Sequence, residues 1–308
     1  MKAIQYNAYG GVEQMHLTDR VLPSLKAAEL LVEVHAASVN PVDLKIRRGE
    51  MKLFTGTKFP RGMGSDFAGT VTQSNSPRFK AGDAVFGFVP FKDAQTFAEQ
   101  AIVSTELTYL KPEHLSFEEA ACLPMAGTAA LRALLEKGAL QSGNRVLVIG
   151  CTGGVGMMAV QIAKANNANV TGTCSASNLA LAKSLGADEV LDYKKTSLSD
   201  FSGPYDIVFD TVGIFTFGQI KPLLTQKGIF LELNPKPFNL LFQLFNSRLK
   251  PLITQVRQED LAALAKLASE HHLRPVIGQT VSLGQAIQTL ADFEQGKRVV
   301  GKTVIQIP

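Results

Sequence analysis

The sequence predicts an α/β protein: a doubly wound parallel sheet, with a β-rich region ahead of it. Three observations predict it. The β-branched apolar run Arg145-Val146-Leu147-Val148-Ile149 ends in the cluster Gly150-Cys151-Thr152-Gly153-Gly154-Val155-Gly156, which opens a helix-period segment through Lys164. From about residue 119 strand-like and helix-like segments alternate, as parallel strands joined by crossover helices require. Before that, short strand-like runs are separated by Pro and Gly turns.

The elements follow in order. Residues 30–36 alternate at period two for part of their length, and strands follow at 69–72 and 84–89. Residues 118–140 are rich in Ala and Leu and read as helix, broken at Pro124 and Gly127. Strand 145–149 leads to helix 155–166, and strand 169–173 to helix 178–185, with Gly186 just past its end. Strands are expected at 190–191, 205–210 and 228–233, and an amphipathic helix at 258–270. Strand 276–281, helix 284–294 and strand 302–307 complete the chain. Residues 235–251, with Pro235, Pro237 and Pro251, carry no readable pattern. The domain expectation is 1–118, 119–273 and a return at 274–308.

The 308 residues suffice for two domains. A net charge of +4 without a run of like charges does not describe a nucleic-acid binder, which concentrates Lys and Arg on one stripe; it suits an anionic small ligand. Three cysteines far apart, with no C-x-x-C pair, suit a reducing compartment. Residues 1–6 show no apolar signal core and no stretch has membrane-spanning length, so the expected location is the cytoplasm.

The glycine cluster builds a phosphate site from backbone. Gly153 permits a tight turn and close approach of a pyrophosphate, and Gly156 lets the helix pack on the strand. Thr152, Gly154 and Val155 belong to the same turn and helix start, where unpaired N–H groups and the helix dipole favour an anion. The first glycine of the dinucleotide fingerprint is Cys151 here. The second strand of such a site normally ends in an acid that holds the ribose hydroxyls of NAD. Here it runs into Cys174-Ser175-Ala176-Ser177-Asn178, with no acid. Ser175, Ser177 and Asn178 sit where a 2′-phosphate would be placed, with Lys183 and Lys194 as added charge. This favours NADPH; a plain Ser/Asn helix cap is compatible with it.

Several segments together resemble one family, the medium-chain dehydrogenase/reductases. They are 34–45 (Val34 to Lys45), Gly64-Ser65-Asp66-Phe67-Ala68-Gly69, Ala81-Gly82-Asp83-Ala84-Val85-Phe86-Gly87, Ala126-Gly127-Thr128-Ala129-Ala130 and Leu185-Gly186-Ala187-Asp188-Glu189-Val190. The match is to the zinc-free quinone oxidoreductase branch, with zeta-crystallin and the enone reductases. The resemblance implies a chaperonin-10-like β-rich catalytic domain made from both termini, a Rossmann domain inserted in it, and a cofactor cleft between them. It also implies hydride transfer from NADPH to a quinone or an enone β-carbon. A homodimer through a Rossmann edge strand, or a monomer, is the assembly expected.

No metal is expected. The ligand places of zinc-dependent relatives read Asn40, Gly64-Ser65-Asp66 and Ala126-Gly127, and the four-Cys lobe is missing. Asn40 is a candidate donor to the substrate oxygen, or ties down the Pro41 turn. Asp43 is expected to fix Asn40 or Lys45, or to be structural. Lys45 matches a lysine that relatives place near the cofactor; a surface lysine is the alternative. By resemblance Thr128 starts a helix and contacts the nicotinamide or its phosphates. Tyr193 lies by the 2′-phosphate or simply closes its strand. Leu231, Leu233 and Asn234 face the nicotinamide side, and Arg298 and Val299 contact the cofactor near Gly301-Lys302. No general acid stands out, so water is the expected proton source. An enoyl-thioester reductase and a non-catalytic NADPH-binding redox sensor are the competing readings. The first would need a basic patch for the coenzyme A phosphates and a catalytic tyrosine in the N-terminal domain, and Tyr6 and Tyr9 precede the expected position.

Overall fold

The computed structural model describes residues 1–235, 246–297 and 299–308. The chain forms two compact units. One comprises Met1–Met125, Val256–Ser269 and Val276–Pro308; the other comprises Ala126–Gln255 and Glu270–Pro275. The Gln258–His271 helix, expected in the nucleotide block, thus falls largely in the first unit.

The second unit carries a six-stranded, all-parallel sheet. Its order is Glu189–Asp192, Asn169–Cys174, Arg145–Ile149, Tyr205–Asp210, Leu224–Glu232, Leu249–Pro251. Counted along the chain this is 3-2-1-4-5-6, the doubly wound order, and it reverses beside Arg145–Ile149. Such a sheet is covered on both faces, so its strands are continuously apolar rather than alternating. Val146 to Ile149 are all buried, and Leu147, Ile149, Tyr205, Val208, Phe217 and Phe230 share one core cluster. Ligands of such sheets bind beyond the carboxyl ends of the strands at the reversal, which is where the glycine cluster lies.

The first unit is β-rich. A seven-stranded sheet runs Ile277–Ser282, Lys302–Gln306, Glu29–Ser38, Asp66–Ser74, Ala84–Phe88, Thr108–Leu110, with Gln100–Ser104 also paired to Glu29–Ser38. Ile277–Ser282 and Lys302–Gln306 are parallel and the remaining pairs antiparallel. Leu30, Val32 and Val34 point to the core at period two, as alternation predicts. A smaller sheet joins Lys2–Tyr6 to Met15–Asp19 and Arg61–Gly62.

Three elements differ from the sequence reading. Pro124 does not end a helix; it opens the helix Pro124–Leu131, where its missing N–H costs nothing. Gly127 lies inside that helix, among buried alanines, where packing offsets a helix penalty of about 1 kcal/mol. Pro41 likewise opens a helix, Pro41–Arg47, rather than only a turn. Among the described residues no helix is long and apolar enough to cross a membrane.

Candidate functional site

Strand Arg145–Ile149 passes into Gly150, whose φ of +78° makes the turn that L side chains resist. The N–H groups of Gly150 and Cys151 both donate to the Thr173 carbonyl, at 3.1 and 3.0 Å, tying the turn to the next strand. Helix Gly154–Ala165 starts after an extended Gly153. Its first-turn N–H groups have no acceptor a turn earlier, so they and the dipole form an anion pole. A Cβ on Gly156 would collide with the Gly150 carbonyl oxygen, so glycine sets how closely helix and strand approach. Cys151, where the fingerprint wants glycine, is wholly buried, and its Sγ fills space above Gly172 that a Cβ there would enter at 2.7 Å. A glycine in the neighbouring strand thus compensates for the one missing from the turn. Burial pushes the Cys151 and Cys174 thiols up, so both stay protonated and inert.

Beyond the second strand a chain of side-chain hydrogen bonds crosses back to the turn. Ser175 Oγ and Ser177 Oγ lie 3.0 Å apart, Ser177 Oγ donates to Asn178 Oδ1 at 3.3 Å, and Asn178 Nδ2 donates to Thr152 Oγ1 at 3.4 Å. Of these, Thr152, Ser175 and Asn178 border a cavity of about 630 Å³, also lined by Tyr193, Thr196, Ile214 and Phe215. Tyr193 is half exposed on its wall. Lys183 is not available there: its Nζ donates to the Asp188 carbonyl. Lys194 is exposed on the turn after Asp192. Neutral hydroxyls and an amide around a cavity of this size, next in sequence to the open N–H groups of the helix start, fit a dinucleotide.

Other residues expected here fall differently. Thr128 is wholly buried within its helix rather than at the helix start, and its Oγ1 has no protein partner. An orphaned buried hydroxyl of this kind is one that a bound group would satisfy. Leu231 is wholly buried, which corrects the expectation that its side chain faces the nicotinamide, and its backbone lies between Phe209 and Lys250. Leu233 is partly buried and Asn234 exposed beyond the strand end. Val299 is exposed, and Arg298 lies outside the described residues.

The β-rich unit holds a buried polar cluster that the sequence reading missed. The Asn40 N–H donates to Asp43 Oδ2 at 2.8 Å, so Asp43 fixes Asn40. Asn40 Nδ2 donates to Asp66 Oδ2 at 2.9 Å and makes a long 3.5 Å contact to the Ser38 carbonyl. Asn40 Oδ1 accepts from Lys302 Nζ at 2.7 Å, and Lys302 also donates to the Val39 carbonyl at 3.1 Å. Asp66 further accepts from Ser38 Oγ at 2.9 Å and the Met125 N–H at 3.1 Å. Burial raises the Asp43 carboxyl to about 7 against the Asn40 N–H, and the Asp66 carboxyl to about 6 against the pull of Lys302. The Asn40 amide is therefore committed inside the protein, which corrects the substrate-donor expectation. Lys45 is exposed on the same helix.

Comparison with known proteins gives a consistent picture. Residues 26–130 match the family model of the alcohol dehydrogenase GroES-like domain, and residues 185–305 that of a zinc-binding dehydrogenase. A chloroplast envelope quinone oxidoreductase homolog of Arabidopsis thaliana is 34% identical over 99% of this chain and 98% of its own. An NADPH-dependent alkenal/one oxidoreductase of the same plant is 37% identical over 70% of this chain and 58% of its own. The solved structure of the quinone oxidoreductase from Coxiella burnetii superposes with a TM-score of 0.89 at 33% identity, covering 100% of this chain and 99% of that one. The zinc in the second family's description does not fit the residues present. The Asn40 amide is taken, and the Lys302 ammonium already brings a cation to its oxygen. Among the described residues no three His, Cys, Asp or Glu side chains group as ion ligands.

Proposed function

The chain belongs to the quinone oxidoreductase branch of the medium-chain dehydrogenase/reductase superfamily, and from that premise we propose a metal-free reductase that uses NADPH to reduce quinones or the C=C of α,β-unsaturated carbonyls. The observation that carries the cofactor choice is the neutral hydrogen-bonded chain Ser175–Ser177–Asn178–Thr152 at the end of the second strand. It offers hydroxyl and amide groups to a 2′-phosphate and no carboxylate to repel one. The relative named as an NADPH-dependent alkenal/one oxidoreductase supports the same reading.

When bound, the reduced nicotinamide supplies a hydride. The chain's own residues bind and orient. Gly153, Gly154 and Val155 present backbone to the pyrophosphate, and Tyr193 and the serines hold the adenosine phosphate. Thr128, Leu233, Asn234, Val299 and Lys45 are the further cofactor contacts proposed. Asp43 and Asp66, through Asn40, brace the backbone of 38–43 rather than touching substrate. Water supplies the proton. A reducing compartment, the cytoplasm, suits the three unpaired thiols.

A spectrophotometric NADPH-oxidation screen over quinones, alkenals and enones, with NADH and chelator controls, tests the proposal. Turnover with NADPH well above NADH, unchanged by chelator, is expected. Equal use of NADH overturns the phosphate assignment, and chelator sensitivity overturns the metal-free one. Stoichiometric binding without turnover makes the chain a nucleotide-binding protein rather than a reductase.

A further inference from the structure

Strand Tyr205–Asp210 ends in a carboxylate that is wholly buried. Asp210 Oδ1 accepts from the N–H of Val212 at 2.9 Å and of Gly213 at 2.8 Å. Asp210 Oδ2 accepts from the N–H of Ile214 at 2.9 Å and of Phe215 at 3.0 Å. Four successive peptide groups are gathered on one charge, and charge-assisted bonds of this kind are the strong ones. Gly213, at φ +84°, lets the chain curl around the carboxylate, and Thr211 Oγ1 pins the loop to the Ile149 carbonyl at 2.7 Å.

The loop built this way carries Val212, Ile214 and Phe215 into the lining of the 630 Å³ cavity that Ser175 and Tyr193 also line. Val212 and Ile214 are each 51% exposed, so the loop holds apolar side chains open toward the cavity. A dinucleotide has three kinds of surface to place in this unit: pyrophosphate, sugar oxygens and a flat purine. The helix start takes the first and the Ser175–Asn178 side the second, which leaves the apolar wall for the third.

We propose that Asp210 is a positioning residue of the nucleotide site: by gathering the N–H groups of 212–215 it sets the wall against which the adenine ring packs. The inference rests on the nucleotide reading above and adds the residue that shapes this end of the site.

The test is Asp210→Asn in the full-length protein, with NADPH binding followed by fluorescence titration and by steady-state kinetics. Asparagine keeps the size but turns an NH₂ toward two N–H groups. NADPH Kd and KM are expected to rise by about tenfold or more, the quinone KM to hold, and kcat at saturating NADPH to fall by less than about threefold. A merely structural role would lower the thermal midpoint without that split. Should Asp210→Asn not fold, the double variant Val212→Ala/Ile214→Ala, altering only exposed side chains, is expected to show the same rise. An unchanged NADPH Kd in a folded Asp210→Asn protein, or in the double variant, overturns the inference and leaves the nucleotide reading standing. Wild-type protein that binds no NADPH overturns both.

Discussion

Asp210 in the parallel-sheet unit and Asp66 in the β-rich unit are both wholly buried, yet they are accommodated in opposite ways. Asp210 accepts from four peptide N–H groups, those of residues 212–215 in its own chain. Asp66 draws one backbone N–H, a serine and an asparagine, with a lysine held by that asparagine, and its carboxyl is pushed up to about 6 by burial. The first arrangement forms as soon as a strand and its turn form. The second exists only when three distant strands and a helix have met. A turn rich in peptide dipoles solves the burial problem locally; a cluster of side chains solves it globally and leaves a proton unsettled near neutrality.

Removing the cation probes the second arrangement hardest. Lys302→Met leaves Asp43 and Asp66 buried together without a counter-charge, and a loss of about 3–5 kcal/mol is expected in urea unfolding at pH 7. A loss under about 1 kcal/mol would mean that the cluster is held by packing rather than charge.

A pH series tests the unsettled proton. Folded Asp43 and Asp66 keep their protons to about 7 and about 6, whereas an unfolded aspartate releases its own near 4. The stability they contribute is complete below about pH 4 and is lost as pH rises through those values, at most about 1.4 kcal/mol per pH unit from each. Wild-type stability relative to Asp43→Asn/Asp66→Asn should therefore fall between pH 5 and pH 7. A flat difference would mean that neither acid keeps its proton near neutrality.

The smallest effect lies in the nucleotide unit. Gly172→Ala should cost about 1–2 kcal/mol because its Cβ meets Cys151 Sγ, and most of that cost should vanish in a Cys151→Gly background. A double-mutant cycle with no coupling would show that the two positions do not compensate one another.

The same contrast explains what could be read from the sequence. The glycine turn was legible because its strand, its glycines and its helix are contiguous, and Gly156 does set the helix–strand approach. The strand-to-helix alternation was legible for the same reason. The partners of Asn40 were not: Asp66 lies 26 residues away and Lys302 lies 262 away. No periodicity links them, so Asn40 read as a substrate donor when its amide is committed inside. Leu231 misled because its position near the strand end does not say whether a side chain standing off the sheet is buried. Asp210 could have been noticed, since an acid followed three residues later by glycine is a turn signal; the signal says nothing of a cavity wall.

The strand Lys302–Gln306 lies between Ile277–Ser282 and Glu29–Ser38, and its lysine holds Asn40. A ribosome delivers residues 29–74 long before it delivers this strand. During synthesis the early stretch therefore waits with a sheet edge uncovered and two acids uncompensated, while strands 145–210 have already been released in register with one another. The unit begun first is therefore the one completed last.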